Sequence, residues 1–158
     1  MEFLGGGSLM YWGAFGYNGK SKLTPIITRL DSAGYQDVLK ANLLSEGTKM
    51  GGRGWIFQQD NAPIHASRST KSWLAARNVR VLPWPAKSPD LNPMENLWGI
   101  MTRRVYAHGK QYDTKRELKE AIHKEWENIS LETLRKLTDS MPNRIHETIL
   151  KQGKFLTK

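Results

Sequence analysis

The sequence predicts an α/β fold in one domain that spans residues 1–158. Three observations support this class: a hairpin pattern near the N-terminus, alternating helix and strand patterns in the middle, and helical patterns towards the C-terminus. The length suits a single hydrophobic core, and hydrophobic residues make up 39% of the chain, as in globular proteins. We assign the helical part, residues 111–158, to the same domain.

Two strands are predicted first, over residues 9–15 (LMYWGAF) and 22–28 (KLTPIIT). The turn-rich GYNGKS between them predicts a hairpin. Pro25 places the second strand at a sheet edge, because proline has no N–H to donate to a neighbouring strand. Apolar residues at helical spacing predict a helix over 33–45, and the Gly-rich segment 47–54 predicts a connector.

The middle of the chain alternates between strand and helix patterns. The short apolar run WIFQQ predicts a buried strand at 55–59, and residues 65–78 predict a helix that Asn78 ends. VRVLPW predicts a second short strand at 79–84. The proline-punctuated segment 85–93 predicts a loop.

Helical patterns dominate the rest of the chain. We predict helices at about 93–108 and 114–128, and another that starts at Ser130. Pro142 predicts that the last segment restarts as a separate helix, which should end near Gly153. The apolar face predicted for the helix at 114–128 continues one residue beyond it and consists of Leu118, Ile122, Trp126 and Ile129.

The formal net charge of +9 is concentrated in the middle of the chain. Residues 61–110 carry 8 basic and 2 acidic side chains, a net of +6, against +1 for residues 1–60 and +2 for residues 111–158. Such a region suggests a polyanion partner such as DNA or RNA. A solvated basic face explains the charge equally well.

Composition also excludes several classes of protein. The chain has no cysteine, which excludes disulfides and thiolate metal sites. No apolar run approaches the roughly 20 residues of a membrane span, so we expect no membrane partner. The start, MEFLGGGS, lacks the basic and apolar regions of a signal peptide.

Two acids, Asp60 and Glu95, are the candidates for chemistry. Asp60 ends the predicted strand at 55–59, and Glu95 lies in the first turn of a predicted helix, with 34 residues between them. Two carboxylates brought together could bind divalent cations for phosphoryl transfer. Each acid also has a structural explanation: Asp60 as a turn residue, and Glu95 as the third residue of a helix capped by Asn92.

The sequence motifs around both acids favour a catalytic, metal-binding role over a structural one. DNAPIH at 60–65 and SPDLNPMENLW at 88–98 closely resemble the catalytic core of the DDE transposases of the Tc/mariner superfamily. Glu95 and the 34-residue spacing are similar to the nematode Tc-type branch. GGGSLMYWGAF at 5–15 is similar to the strand segment that precedes this core, so the resemblance covers nearly the whole chain.

The resemblance implies a ribonuclease H-like fold, which is a mixed sheet flanked by helices. It also implies an enzyme that cuts DNA and joins it to a target, using two magnesium or manganese ions. Asp60 and Glu95 match the second and third catalytic, metal-binding acids. Asn61 and His65 match positions that support the site or contact DNA. Asp90, in the SPDLNP word, is expected to be a turn residue.

The implied partners are transposon-end and target DNA, with no small-molecule substrate, and the implied location is the nucleus. Basic side chains of the middle segment would contact the DNA backbone without reading its sequence. These candidates are Arg68, Lys71, Arg77, Arg80, Lys87, Arg103 and Arg104.

One part of the family pattern has no match in this sequence. The family's first catalytic Asp lies on a central first strand, upstream of the GGGS segment. The acids before Asp60 are Glu2, Asp31, Asp37 and Glu46, and we expect none of them in an apolar strand. We therefore expect an N-terminally truncated catalytic domain that lacks this strand and cannot cleave DNA alone.

Loss of that strand would leave the inner edges of the hairpin and of the 55–59 strand unpaired. Unpaired edges invite association, so we expect marginal stability or self-association. Two other functions stay open. The chain could be a non-enzymatic nucleic-acid-binding remnant or repurposed transposon-derived protein, or a different nuclease of ribonuclease H-like fold.

Overall fold

The computed structural model describes residues 2–5, 7–27, 29–60, 62–82 and 91–142. Its strands are β1 (Glu2–Leu4), β2 (Ser8–Trp12), β3 (Phe15–Gly16), β4 (Gly19–Lys20) and β5 (Thr24–Ile26). Its helices are α1 (Ser32–Asn42), α2 (Gly47–Gly51), α3 (Pro63–Ala66), α4 (Arg68–Ala76), α5 (Pro93–Val105), α6 (Lys115–Glu127) and α7 (Leu131–Asp139), with a 3₁₀ turn at Ala107–Gly109 after α5.

An antiparallel sheet of order β1-β2-β5 forms from the N-terminal strands. Met10 of β2 lies opposite Glu2 on one side and Ile26 on the other. The expectation of an unpaired inner edge is therefore wrong for β2, because β1 covers it. Glu2 also lies in a strand, contrary to expectation, although its side chain is exposed.

The predicted hairpin is confirmed in outline, but its first strand divides in two. Residues 9–15 contribute to β2 and to β3, which pairs with β4 in a separate two-stranded sheet. Pro25 lies in β5 at the edge of the three-stranded sheet, as predicted.

The predicted strands at 55–59 and 79–84 meet through one parallel bridge, between Phe57 and Val81. The Phe57 N–H donates to the Arg80 carbonyl, and the Leu82 N–H donates to the Phe57 carbonyl, both at 2.8 Å. Both segments lie where strands are predicted, but regular pairing within the described residues is limited to this one bridge. Residues 83–84 of the second strand and most of the predicted loop lie outside the described residues.

The helices between β5 and the bridge differ from prediction in two places. The Gly-rich connector contains helix α2, so that prediction is wrong. The predicted 65–78 helix starts at Pro63 and is broken at Ser67, whose extended backbone and side chain cap α4 by accepting from the Thr70 N–H. Asn78 has φ 56°, which agrees with its predicted role in ending the helix.

The C-terminal helices begin where local capping predicts. Asn92, Thr114 and Ser130 cap α5, α6 and α7, each accepting a backbone N–H with its side-chain oxygen. α5 ends at Val105, earlier than predicted. The restart expected after Pro142 lies outside the described residues.

Two apolar clusters form the core. One joins the β1-β2-β5 sheet to α5, α6 and α7, and contains the predicted apolar face of α6. The other packs α1, α2 and α4 around the Phe57 bridge. Within the described ranges, no helix is long and apolar enough to cross a membrane.

Candidate functional site

Asp60 and Glu95 line the same cleft, whose volume is about 480 Å³. The residues from Trp55 to Asp60 form one wall, and the start of α5 forms another. The cleft continues into an apolar end lined by Phe15, Met50 and Trp55. The fold thus brings together two acids that are far apart in sequence.

The Asp60 carboxylate is fixed by its own turn. Its Oδ1 accepts a hydrogen bond from the Ala62 N–H at 3.0 Å and another from His65 Nδ1. The hydrogen bond from His65 is the main cause that holds the pKa of Asp60 below its usual range, and the Ala62 N–H adds to it against the opposing effect of burial. Asp60 therefore stays ionised at neutral pH, and both of these hydrogen bonds from described residues go to Oδ1.

His65 is positioned in turn by Tyr35 and Gln59. Its ring stacks on the ring of Tyr35, with centroids 4.2 Å apart and planes at 27°. The Tyr35 hydroxyl donates to Gln59 Oε1 at 2.6 Å, and Gln59 Nε2 donates to the His65 carbonyl at 3.2 Å. Tyr35 is fully buried, and burial, followed by the charge of Asp60, raises its pKa far above the usual range. This network keeps the His65 ring against Asp60.

Glu95 occupies the first turn of α5, as predicted. Asn92 caps the helix by accepting from the Met94 N–H at 3.1 Å, and Pro93 is its first residue. The Glu95 side chain is exposed, and among the described residues none donates a hydrogen bond to its carboxylate. The residue has the position of a capping-box acid without the reciprocal bond to the Asn92 N–H, so no donor in the described part of the chain occupies its oxygens.

Gln58 links the two walls, since its Nε2 donates to the Leu91 carbonyl at 2.8 Å. The sequence analysis missed Gln58, Gln59 and Tyr35. The two glutamines directly before Asp60 could have indicated polar residues that support the acid. Tyr35 gave no such signal, because it fits the apolar pattern of the predicted helix at 33–45.

The basic candidates lie apart from the cleft. Arg68 and Lys71 are exposed on α4, Arg77 and Arg80 follow that helix, and Arg103 and Arg104 end α5. None of these six lines the cleft. Asn61, Lys87 and Asp90 lie outside the described residues.

Two carboxylates that line one cleft suit magnesium or manganese, which prefer oxygen ligands. In the part of the chain that the structure describes, no group of three or more His, Cys, Asp or Glu side chains could hold a metal ion. The donor set therefore fits part of a divalent-metal site.

A family profile of DDE superfamily endonucleases matches residues 6–119. The chain belongs to this family. It is 42% identical over 149 residues to the Tc3 transposase of Caenorhabditis elegans, covering 94% of this chain and 45% of that protein. It is 37% identical over 156 residues to the Tc1 transposase of the same organism, covering 98% and 55%. This DDE domain is thus of the Tc/mariner type, as predicted, and spans about half the length of these relatives.

Solved structures resemble the DDE domain over most of its length. The Mos1 transposase catalytic domain with Mn and raltegravir gives a TM-score of 0.81 at 21% identity, covering 97% of this chain and 80% of that one. A pre-cleavage Mos1 transpososome gives 0.79 at 22% identity, covering 92% and 44%. The ribonuclease H-like fold is confirmed.

Proposed function

We propose that this chain is part of a transposase catalytic domain and supplies two carboxylates, Asp60 and Glu95, to a metal site that cleaves DNA and transfers strands. The observation that carries the proposal is the position of both acids in one cleft. Membership of the DDE family supports the reaction class.

Cleavage by water and strand transfer by a DNA 3′ hydroxyl are the same in-line displacement at phosphorus. Divalent cations, when bound, activate the attacking oxygen and stabilise the leaving one. The chain's own residues provide fixed negative charge for those cations. His65 keeps Asp60 ionised and oriented through the bond to Oδ1, and Asn92 fixes the helix start that presents Glu95.

DNA is the proposed partner, in the form of transposon ends and target. The exposed basic side chains of α4, and the exposed Arg103 and half-buried Arg104 near the end of α5, would contact phosphates outside the cleft. Support comes from the Mos1 neighbours, which include paired-end complexes and one with the left transposon end. Paired ends also support self-association, and chromosomal DNA as substrate implies a nuclear location.

The chain alone is proposed to be inactive. Two carboxylates bind a metal pair poorly, and the described residues place no third acid or histidine with Asp60 and Glu95 in a ligand group. A module that binds DNA without cleaving it is the second candidate, since its phosphate contacts do not require the missing ligand.

The test joins this chain to the upstream part of the Tc3 transposase and measures Mn²⁺-dependent cleavage of transposon-end DNA. Cleavage is expected from the fusion and not from the chain alone. It should be lost in Asp60→Asn and Glu95→Gln and retained in Glu120→Gln, which alters an exposed acid on α6. Cleavage that survives Glu95→Gln would refute the proposed roles, and salt-sensitive DNA binding by a folded fusion that never cleaves would favour the second candidate.

A further inference from the structure

Gln58 makes a direct hydrogen bond across the cleft. Its Nε2 donates to the Leu91 carbonyl at 2.8 Å, between residues 33 positions apart in sequence. Leu91 is 5% exposed, so water competes little for its carbonyl. A partly buried hydrogen bond of this kind restricts the relative movement of the two segments that it joins.

The two ends of this bond lie close to the two acids along the chain. Gln58 precedes Asp60 by two residues, whereas Leu91 precedes Asn92, the cap of the helix whose third residue is Glu95. A change in the Gln58–Leu91 separation would therefore move one carboxylate relative to the other.

The backbone fixes Gln58 itself. Its neighbour Phe57 bonds through both backbone groups to the Val81 segment, at 2.8 Å on each side. Phe57 is buried on one side of the extended backbone, and successive side chains point to opposite faces. The side-chain amide of Gln58 thus bonds to the Leu91 carbonyl while the neighbouring backbone is held in place by the Phe57 bridge.

The adjacent glutamine acts in a different direction. Gln59 bonds to Tyr35 and to the His65 carbonyl, and so supports Asp60 through His65. Gln59 orients one acid, whereas Gln58 connects the segments that carry both acids.

We propose that Gln58 is a positioning residue that sets the separation between Asp60 and Glu95 in the proposed metal site. This inference rests on the proposed function, since it concerns the same pair of acids. Gln58 needs no contact with the cation, because the bond to Leu91 acts through the start of α5.

The test is a Mn²⁺ titration of the ¹⁵N-labelled chain, which follows paramagnetic broadening of the Ala62 and Asn96 amides, one beside each acid. In the wild type, both amides should broaden over the same Mn²⁺ range. Gln58→Met keeps the length of the side chain and removes its donor. It should raise the Mn²⁺ concentration for half-broadening of both amides by roughly tenfold, as loss of a ligand-orienting contact does.

Two further variants separate positioning from general stability. Gln58→Asn keeps the amide but is one methylene shorter, and it should give the same shift. Gln36→Met is the matched control, because the Gln36 amide also links two segments, donating to Ser69 at 2.9 Å. It should lower the thermal midpoint of unfolding without changing the Mn²⁺ range.

The titration, with the cleavage assay of the fusion, separates failure of the Gln58 role from failure of the proposed metal site. Wild-type broadening in Gln58→Met, or an equal shift in Gln36→Met, would overturn the positioning role and leave the proposed metal site intact. No broadening at either amide of the wild-type chain would overturn this inference, whereas the cleavage assay of the fusion tests the metal site independently.

Discussion

Replacing Tyr35 by Phe removes one buried donor and leaves the ring in place. The Tyr35 hydroxyl donates to Gln59 Oε1 at 2.6 Å, and the tyrosine is 1% exposed. The stack on His65 survives the change, so the loss is confined to the hydrogen bond and the unsatisfied Gln59 oxygen. Such a loss costs about 1–2 kcal/mol. For a chain of this size, the melting temperature should fall by roughly 2–8 °C.

Urea unfolding followed by circular dichroism measures this cost. Tyr17→Phe is the control, because the Tyr17 hydroxyl has no hydrogen bond within the described ranges and its ring faces Arg135 at 4.7 Å. The control should stay within about 0.5 kcal/mol of the wild type. Equal unfolding free energies for Tyr35→Phe and the wild type would refute the view that this hydroxyl supports the cleft.

Two further predictions concern pH and DNA. Burial lowers the pKa of His123 below 6.5, so the unfolded chain takes up a proton first as pH falls. The free energy of unfolding should therefore decrease below about pH 6.5, and it should decrease less steeply in His123→Gln. The same pH dependence in both proteins would contradict this. The Arg103 guanidinium lies beside Gly99, one turn nearer to Glu95. Arg103→Ala should weaken DNA binding a few-fold and reduce by about one the slope of the logarithm of affinity against the logarithm of salt concentration. Arg116→Ala should change neither quantity, and fluorescence anisotropy at several salt concentrations measures both.

Local signals predicted the C-terminal helices well. Asn92, Thr114 and Ser130 each start a helix, because a short polar side chain there satisfies a free backbone N–H. Each signal needs only three or four neighbouring residues, so no knowledge of the tertiary structure was required.

The missed helix α2 shows where local reasoning fails. Gly47 and Gly51 argue against a helix, but a Cβ at either position would meet the Trp55 side chain. Without a Cβ, these two glycines allow the Trp55 side chain to lie directly on the helix. This contact forms only when the chain folds back on itself, so the helix pattern alone does not reveal it. The single bridge at Phe57 is a similar case, since its partner Val81 is far along the chain.

The two acids of the site were predictable, and their support was not. The motifs DNAPIH and SPDLNPMENLW predicted Asp60 and Glu95 as site residues. The bond from His65 to Asp60 and the stack on Tyr35 depend on how α1 packs near α3. No spacing rule relates residue 35 to residue 65.

The pairing of the chain's first strand with late residues has a consequence for synthesis. The Leu4 N–H donates to the Tyr106 hydroxyl at 2.8 Å, and that hydroxyl donates to the Leu4 carbonyl at 2.6 Å, across 102 positions. Trp126 likewise donates to the Ser21 carbonyl from 105 positions away. At ribosomal rates of roughly 5–20 residues per second, the early strands wait on the order of 5–20 s for these partners. During that interval Phe3 and Tyr11 lack the α5 and α6 side chains that bury them, so the β1-β2-β5 sheet is exposed to chaperones and to aggregation until those helices are synthesised.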